Sequence, residues 1–186
     1  SRWVLKWKYV KDEDGNKIRT IRARLTVRGF KDADAANVST YAATATKWGQ
    51  RLVTHVAAQY KFPLATFDIN KAFLQGLTYE ELAKKTGQPL REVNFELPRS
   101  SQAVLRLVKD FESFDPVSEV LHLEKPGTGT KDAPQAFSLK LLSALKDLGY
   151  HSIKGDSQVR VKHHKAGTKV TLRLMMGVHV DDVKAT

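Results

Sequence analysis

The sequence predicts an α+β fold, a mainly antiparallel sheet with helices packed on it and a β-ribbon at the N-terminus. Three observations lead there. Apolar and polar side chains alternate with a period of two across residues 18–29 and again across 170–180, as strands require. Between those stretches, apolar residues recur every three or four positions over 44–60 and 133–148, the spacing of helices. The composition, 41% hydrophobic and 27% charged over 186 residues, is that of a folded chain with room for one domain or two joined subdomains. Zero cysteines exclude disulfides and thiolate zinc sites, and no apolar run approaches the length of a membrane span.

Taken in order, Trp3 to Val10 and Ile18 to Gly29 read as the two strands of a hairpin turning at Asp14-Gly15. On its second strand Ile21, Ala23, Leu25 and Val27 fall on one face, and Arg22, Arg24, Thr26 and Arg28 on the other. Trp48, Leu52, Val56 and Tyr60 mark a helix over 44–60, with Gly49 as its weak point and the Trp in the core. Phe62 to Ile69 reads as a strand buried on both faces, in which Asp68 needs a partner. Thr78-Tyr79-Glu80-Glu81 fits a capping box for a short helix ending at Gly87. Ser101 precedes a second short helix carrying Val104, Val108 and Phe111, and both short helices read as surface additions. Asp132-Ala133-Pro134-Gln135 is a helix start with Asp as N-cap, followed by an apolar stripe of Phe137, Leu141, Ala144, Leu145 and Leu148, and closed by Gly149. Gln158 to His163 and Val170 to Val180 form a last hairpin, with Leu172, Leu174, Met176, Val178 and Val180 on one face.

The formal net charge of +11 favours polyanionic partners and salt-dependent binding. Residues 1–31 hold ten Lys or Arg against three acids, so +7 of it belongs to the N-terminal ribbon. The three arginines on one ribbon face are either a solvated surface or a phosphate contact. An acidic constellation elsewhere favours the second. Val178-His179-Val180-Asp181-Asp182 sets two adjacent carboxylates at a strand end, and Thr66-Phe67-Asp68-Ile69-Asn70 sets a third on another strand. Carboxylates gathered in a desolvated site require a cation between them, which invites Mg2+. Two such ions roughly 3.5 to 4 Å apart form the clamp of two-metal phosphoryl transfer.

Four blocks carry a resemblance: Arg22 to Lys31 (RARLTVRGFK), Phe67 to Gly76 (FDINKAFLQG), Lys125 to Pro134 (KPGTGTKDAP) and His179 to Asp182 (HVDD). In that order they resemble blocks of the copia-type LTR-retrotransposon reverse transcriptase, the fingers and palm portion of its Pol polyprotein. The likeness spans nearly the whole chain. It departs where the family has Tyr before the acidic pair and this chain has His179, where Thr128 and Thr130 replace Tyr and Leu, and where Gln135 and Phe137 replace Arg and Trp.

The resemblance implies a right-hand polymerase, with a fingers-like basic ribbon and helix over residues 1–60 and a palm-like catalytic region with a ferredoxin-like sheet over 61–186. No thumb or ribonuclease H is expected within this stretch; both belong to the remainder of the Pol polyprotein, and weak, non-processive synthesis is expected of the piece alone. The catalytic acids would be Asp68, Asp181 and Asp182, holding two Mg2+ ions, or Mn2+ in their place, with the Ile69 carbonyl as a further ligand. Arg22, Arg24, Asn70, Ala72, Phe73 and Thr128 would meet the deoxynucleoside triphosphate, Phe73 lying where an aromatic ring excludes a 2'-hydroxyl. Arg28, Lys31, Gly129, Lys131, Pro134 and Val180 would meet the RNA or DNA template with its primer. The family's chemistry is RNA-directed DNA synthesis in cytoplasmic virus-like particles followed by nuclear entry of the DNA, without a membrane partner. Two alternatives stand beside it: a non-catalytic retrotransposon relic or domesticated fragment that binds nucleic acid through its ribbon, and a different two-metal phosphotransferase on a similar palm.

Overall fold

The computed structural model describes residues 1–34 and 36–186. Its elements are β1 (Arg2–Lys11), β2 (Lys17–Thr26), α1 (Lys47–Tyr60), β3 (Ala65–Asp68), α2 (Tyr79–Thr86), β4 (Val93–Phe95), α3 (Arg99–Leu105), β5 (Leu121–Leu123), α4 (Ala133–Asp147), β6 (His151–Ile153), β7 (Asp156–Ala166), β8 (Lys169–His179) and β9 (Asp182–Ala185). Single 3-10 turns lie at Gly29–Lys31 and Ala72–Gln75. The chain forms two compact units, each built from two segments: Ser1–Val38 with Thr78–Lys131, and Ser39–Leu77 with Asp132–Thr186. These units are drawn differently from the regions 1–60 and 61–186 expected from the sequence. Helix α1 belongs with the sheet because its Val53 packs among Val159, Val161 and Met175. Residues 78–131, read from the sequence in part as surface additions, instead complete the unit that contains the ribbon.

In the first unit β1 and β2 pair antiparallel, with Trp3 opposite Leu25, Leu5 opposite Ala23, Trp7 opposite Ile21 and Lys6 opposite Arg22. Directly paired residues share a face, so Trp3, Leu5, Trp7, Ile21, Ala23 and Leu25 form one face and Lys6, Lys8, Arg22 and Arg24 the other. The apolar face is not a core: Trp7 is 60% exposed and Tyr9 66%. At the turn Asn16 N donates to Asp12 Oδ1 at 2.7 Å. Helix α2 begins with the full capping box, Thr78 and Glu81 each satisfying the other's backbone, and ends on Gly87 with φ 72. A small antiparallel ribbon, β4 with β5, is not signalled by periodicity because each strand is only three residues long.

The second unit is a five-stranded antiparallel sheet in the order β3-β9-β8-β7-β6. Both faces of its middle strands are covered. On one face Val159, Val161 and Met175 meet Val53 of α1. On the other, Met176 and Val178 with Val183 of β9 meet Leu145 of α4. A register shift between Lys162 and His163 turns Leu172 to the α1 side while Leu174 stays on the α4 side. The sequence pattern places both on one face, since a strict period of two has no room for the extra residue.

The buried stripe of α1 is Gly49, Val53 and Ala57, and Trp48 is 75% exposed. The observed stripe is rotated by one position from the expected one, because small residues permit the close approach to the sheet that a Trp would block. Pro sits in the first turn of α4 as read from the sequence, but Asp132 makes no side-chain cap; its backbone is already helical and its carbonyl accepts from Ala136 N at 2.9 Å. At the other end Tyr150 N donates to Leu145 O at 2.9 Å around Gly149, φ 83. Of the expected stripe Phe137 and Leu145 are buried, whereas Leu148 is 60% exposed.

Candidate functional site

The acidic residues lie at the β3 edge of the second unit's sheet. β3 pairs with β9 so that Asp68 stands directly opposite Asp182, and Ile69 N donates to the Asp181 carbonyl at 2.9 Å. β8 and β9 are joined by a two-residue turn, Val180-Asp181, closed by the pairing of His179 with Asp182. Val180 has φ 58, a left-handed conformation that a β-branched residue adopts only at a cost of order 1–3 kcal/mol. Strain of that kind persists where the surroundings dictate it, and here the strands on both sides fix the turn. The consequence is that Asp181 sits at the apex and Asp182 at its base.

Facing follows from register. Val183 points to α4 with Met176 and Val178, so its neighbours Asp182 and Lys184 point to the α1 face, and Asp68 and Thr66 share that face across the ladder. His179 is on the same side, where its Nδ1 lies 3.4 Å from Gln50 Nε2 of α1. The segment before α1 is tied to this strand end, Ala45 N donating to Val178 O at 2.8 Å. Gln50, Thr66, Phe67, Gly177, His179, Asp182, Val183 and Lys184 border a cleft of about 360 Å³.

Two expectations change. β3 is exposed at all four positions, an edge strand with β9 on one side only, not a strand buried on both faces. Asp68 and Asp182 are exposed and Asp181 is half-buried, so desolvation does not force a cation between them. Among the described residues no three His, Cys, Asp or Glu side chains converge closely enough to ligate one ion. The backbone thus brings the three acids together without forming a ready cage. Mg2+ does not demand one, since it keeps several waters and takes one or two carboxylates plus substrate phosphates. Asp68 and the Asp181-Asp182 pair suit such an open site, with the Ile69 carbonyl next in the chain.

Beyond β3 the chain turns through Asn70 and Lys71, the latter at φ 53, into the 3-10 turn that carries Ala72 and Phe73. Gln75 Nε2 donates to the Asn70 carbonyl at 2.6 Å and holds this bend. Ala72 is buried and Phe73 half-buried. Gly76 passes so close to α4 that an added Cβ would stand 3.1 Å from Phe137 N, and Leu77 N donates to Ala136 O at 3.2 Å. Residues 67–76 are therefore fastened to the start of α4, where Pro134 is half-buried.

The remaining expected residues lie in the first unit. Arg22, Arg24, Arg28, Lys31 and Lys131 are exposed and Thr128 is half-buried. Two of the family-like blocks meet here: Val27 N donates to Thr128 O at 2.9 Å and Gly29 N to Gly129 O at 3.2 Å. A Cβ on Gly29 would fall 2.3 Å from the Gly129 oxygen, and one on Gly129 2.1 Å from the Val27 oxygen. Both glycines are thus required by backbone meeting backbone. Thr130 is buried and donates its hydroxyl to Gly127 O at 3.0 Å, a structural duty.

One functional support escaped the sequence reading. Asp156, at the start of β7, is buried and accepts from Thr46 N and Thr46 Oγ1, both at 2.8 Å, and from Gln158 N at 2.9 Å. Thr46 in turn caps α1 by accepting from Gly49 N at 3.0 Å. Desolvation pushes the Asp156 carboxyl up, but the hydrogen bonds from Gln158 and Thr46 together outweigh it and hold the group below the usual carboxylate range. An added Cβ at Gly49 would lie 2.3 Å from Asp156 Oδ2. The network fixes the N-terminus of α1, and with it Gln50 beside His179. Only the pairing of an Asp with a Gly more than a hundred residues away could have signalled it.

Similarity to known proteins covers the whole chain. It is 25% identical over 186 residues to the Retrovirus-related Pol polyprotein from transposon RE1 of Arabidopsis thaliana, and 26% identical to that from transposon RE2. The chain spans 11% of the length of each of these relatives. No protein-family model matches it. No solved structure matches it either. The likeness over the full chain supports an origin in a retrotransposon Pol polyprotein.

Proposed function

We propose that this chain is the fingers and palm portion of a retrotransposon reverse transcriptase, an RNA-directed DNA polymerase working on a primed template and deoxynucleoside triphosphates. One observation carries the reading: residues 113 and 114 positions apart in sequence, Asp68 with Asp181 and Asp182, are set side by side by the β3 and β9 register. The ordered blocks and the Pol relatives support it. Two Mg2+ ions, when bound, would activate a primer 3'-hydroxyl and stabilise the leaving pyrophosphate. The chain's own part is positional. Asp68 and Asp182 present carboxylates to one face, the strained Val180 turn lifts Asp181 to the apex, and His179 with Gln50 walls the cleft. Phe73, held half-buried in its 3-10 turn, offers the ring that would stand against a ribose 2'-hydroxyl. Arg22 and Arg24 present guanidinium forks suited to phosphate oxygens.

Primer extension on an RNA template with Mg2+ and deoxynucleotides tests this in the chain and in a longer Pol protein that contains it. Asp68→Asn and Asp181→Asn should each reduce extension to background. Equal extension by the parent and Asp181→Asn would end the reading. The concentration of positive charge in residues 1–31, with Arg22, Arg24 and Arg28 exposed, favours a second reading, a non-catalytic relic or domesticated fragment that binds nucleic acid through the basic ribbon. Nucleic-acid binding without Mg2+ binding or extension, in the longer protein too, would select it.

A further inference from the structure

The far end of the β7 and β8 hairpin has no role in the site described above. From residue 157 to 178 the chain contains five Lys or Arg, two His and no acid. Residues 163–171 are all exposed. Lys169, beside the tip, lies ten residues along β8 from His179, about 33 Å at strand rise. Register sorts the tip charges onto both faces: His163 and Lys165 share one with Leu172 and Val170, and His164 shares the other with Thr171 and Lys169. Arg173 is exposed at the bulge, while Lys162 is held over the Tyr150 ring, 5.3 Å from its centroid.

We infer that this hairpin is a second nucleic-acid contact, an arm that enters the major groove of B-form DNA and reaches the phosphates on both walls. Shape and charge each bear on this. The major groove is about 12 Å wide and 8.5 Å deep and admits a two-stranded β-ribbon. The pairs from His163–Leu172 to Ala166–Lys169 project roughly 10 Å before the turn, matching that depth. A flat anionic membrane would be met by charges on one face, whereas here each face carries one Lys and one His. The deep, narrow major groove of A-form RNA does not admit a ribbon. The contact is independent of the polymerase reading, because it uses no residue of the acidic site and needs neither metal nor nucleotide.

The test is fluorescence anisotropy of a 20-base-pair DNA duplex titrated with the 186-residue chain, without Mg2+, over about 50 to 200 mM salt. Lys165→Ala/Lys169→Ala should weaken binding and lower the slope of log affinity against log salt by about 2, one for each phosphate left without its lysine. A charge-matched control, Lys84→Ala/Lys109→Ala, should leave the slope unchanged. Lys165→Gln/Lys169→Gln repeats the measurement with longer side chains in case the alanine pair perturbs folding. An equal slope change in control and hairpin variants would overturn the inference, as would RNA duplex binding as tight as DNA. Hairpin-dependent capture of phosphatidylserine vesicles with no hairpin dependence for DNA would overturn it in favour of a membrane. Loss of primer extension in acidic-site variants leaves this result untouched, so the two readings fail separately.

Discussion

Two long hairpins in this chain share an alternating apolar pattern and have opposite fates. β1 and β2 are ten residues each and β7 and β8 eleven each, all with alternating apolar side chains. Trp7 and Ile21 of the first are 60% and 52% exposed, while Val159 and Met176 of the second are 0% and 6% exposed. The difference is not propensity, since Trp, Tyr and Ile are good strand residues. It is cover: α1 and α4 close over the base of the second hairpin, whereas α3 reaches the apolar face of the first at Trp3, whose Nε1 donates to Ser101 Oγ, and leaves Trp7 and Ile21 exposed. Alternation specifies which residues share a face; a neighbouring element decides whether that face becomes a core.

Substitutions should separate the two hairpins sharply. Val159→Asp would bury a charge with no partner between α1 and the sheet, and is expected to cost more than about 4 kcal/mol and abolish cooperative unfolding. Trp7→Asp, its counterpart on the ribbon, should shift the denaturation midpoint little. A comparable loss in both would show that the ribbon's apolar face is covered in solution. Next in size is Asp156→Ala, which strands the Thr46 amide and hydroxyl and the Gln158 amide, for an expected loss of about 3 kcal/mol by urea denaturation. Because the folded-state pKa of Asp156 is depressed, its contribution is present above the unfolded value of about 3.9 and is lost as pH falls through the folded one. Asp156→Asn should therefore flatten the acid limb of the stability profile, and an unchanged limb would remove the network from the account.

Smaller still, and opposite in sign to what helix propensity suggests, is Gly49→Ala. In an exposed helix it would stabilise by about 1 kcal/mol. Here the new methyl would meet Asp156 Oδ2 at 2.3 Å and Val159 Cγ2 at 2.7 Å, so a net destabilisation of about 1–2 kcal/mol is expected. A raised melting temperature would mean that α1 stands further from the sheet.

Local signals were legible where the physics is local. The Thr78 capping box, Gly87, Pro134 in the first turn of α4 and Gly149 all occupy the places their backbone chemistry dictates. So does the hairpin turn at Asp14-Gly15. Burial was less legible. Trp48 has the helical period of a core residue, yet the stripe that packs is Gly49, Val53 and Ala57. Phe62 to Ile69 has the composition of an enclosed strand, yet β3 ends on an open edge. Both errors have one cause: hydrophobic pattern reports which side chains could be buried and carries no information on where the sheet stops.

By itself the sequence determined the order of the longer strands and helices, the concentration of positive charge in the first thirty-one residues, and three acids at the ends of two strands. These depend on composition and on side-chain spacing within single elements. Only the tertiary structure decided that Asp68 faces Asp182, that Gly29 and Gly129 meet backbone to backbone, and that Asp156 holds Thr46, the N-cap of α1, 110 residues before it. Such juxtapositions arise from sheet register and close packing between distant segments, which no local periodicity encodes.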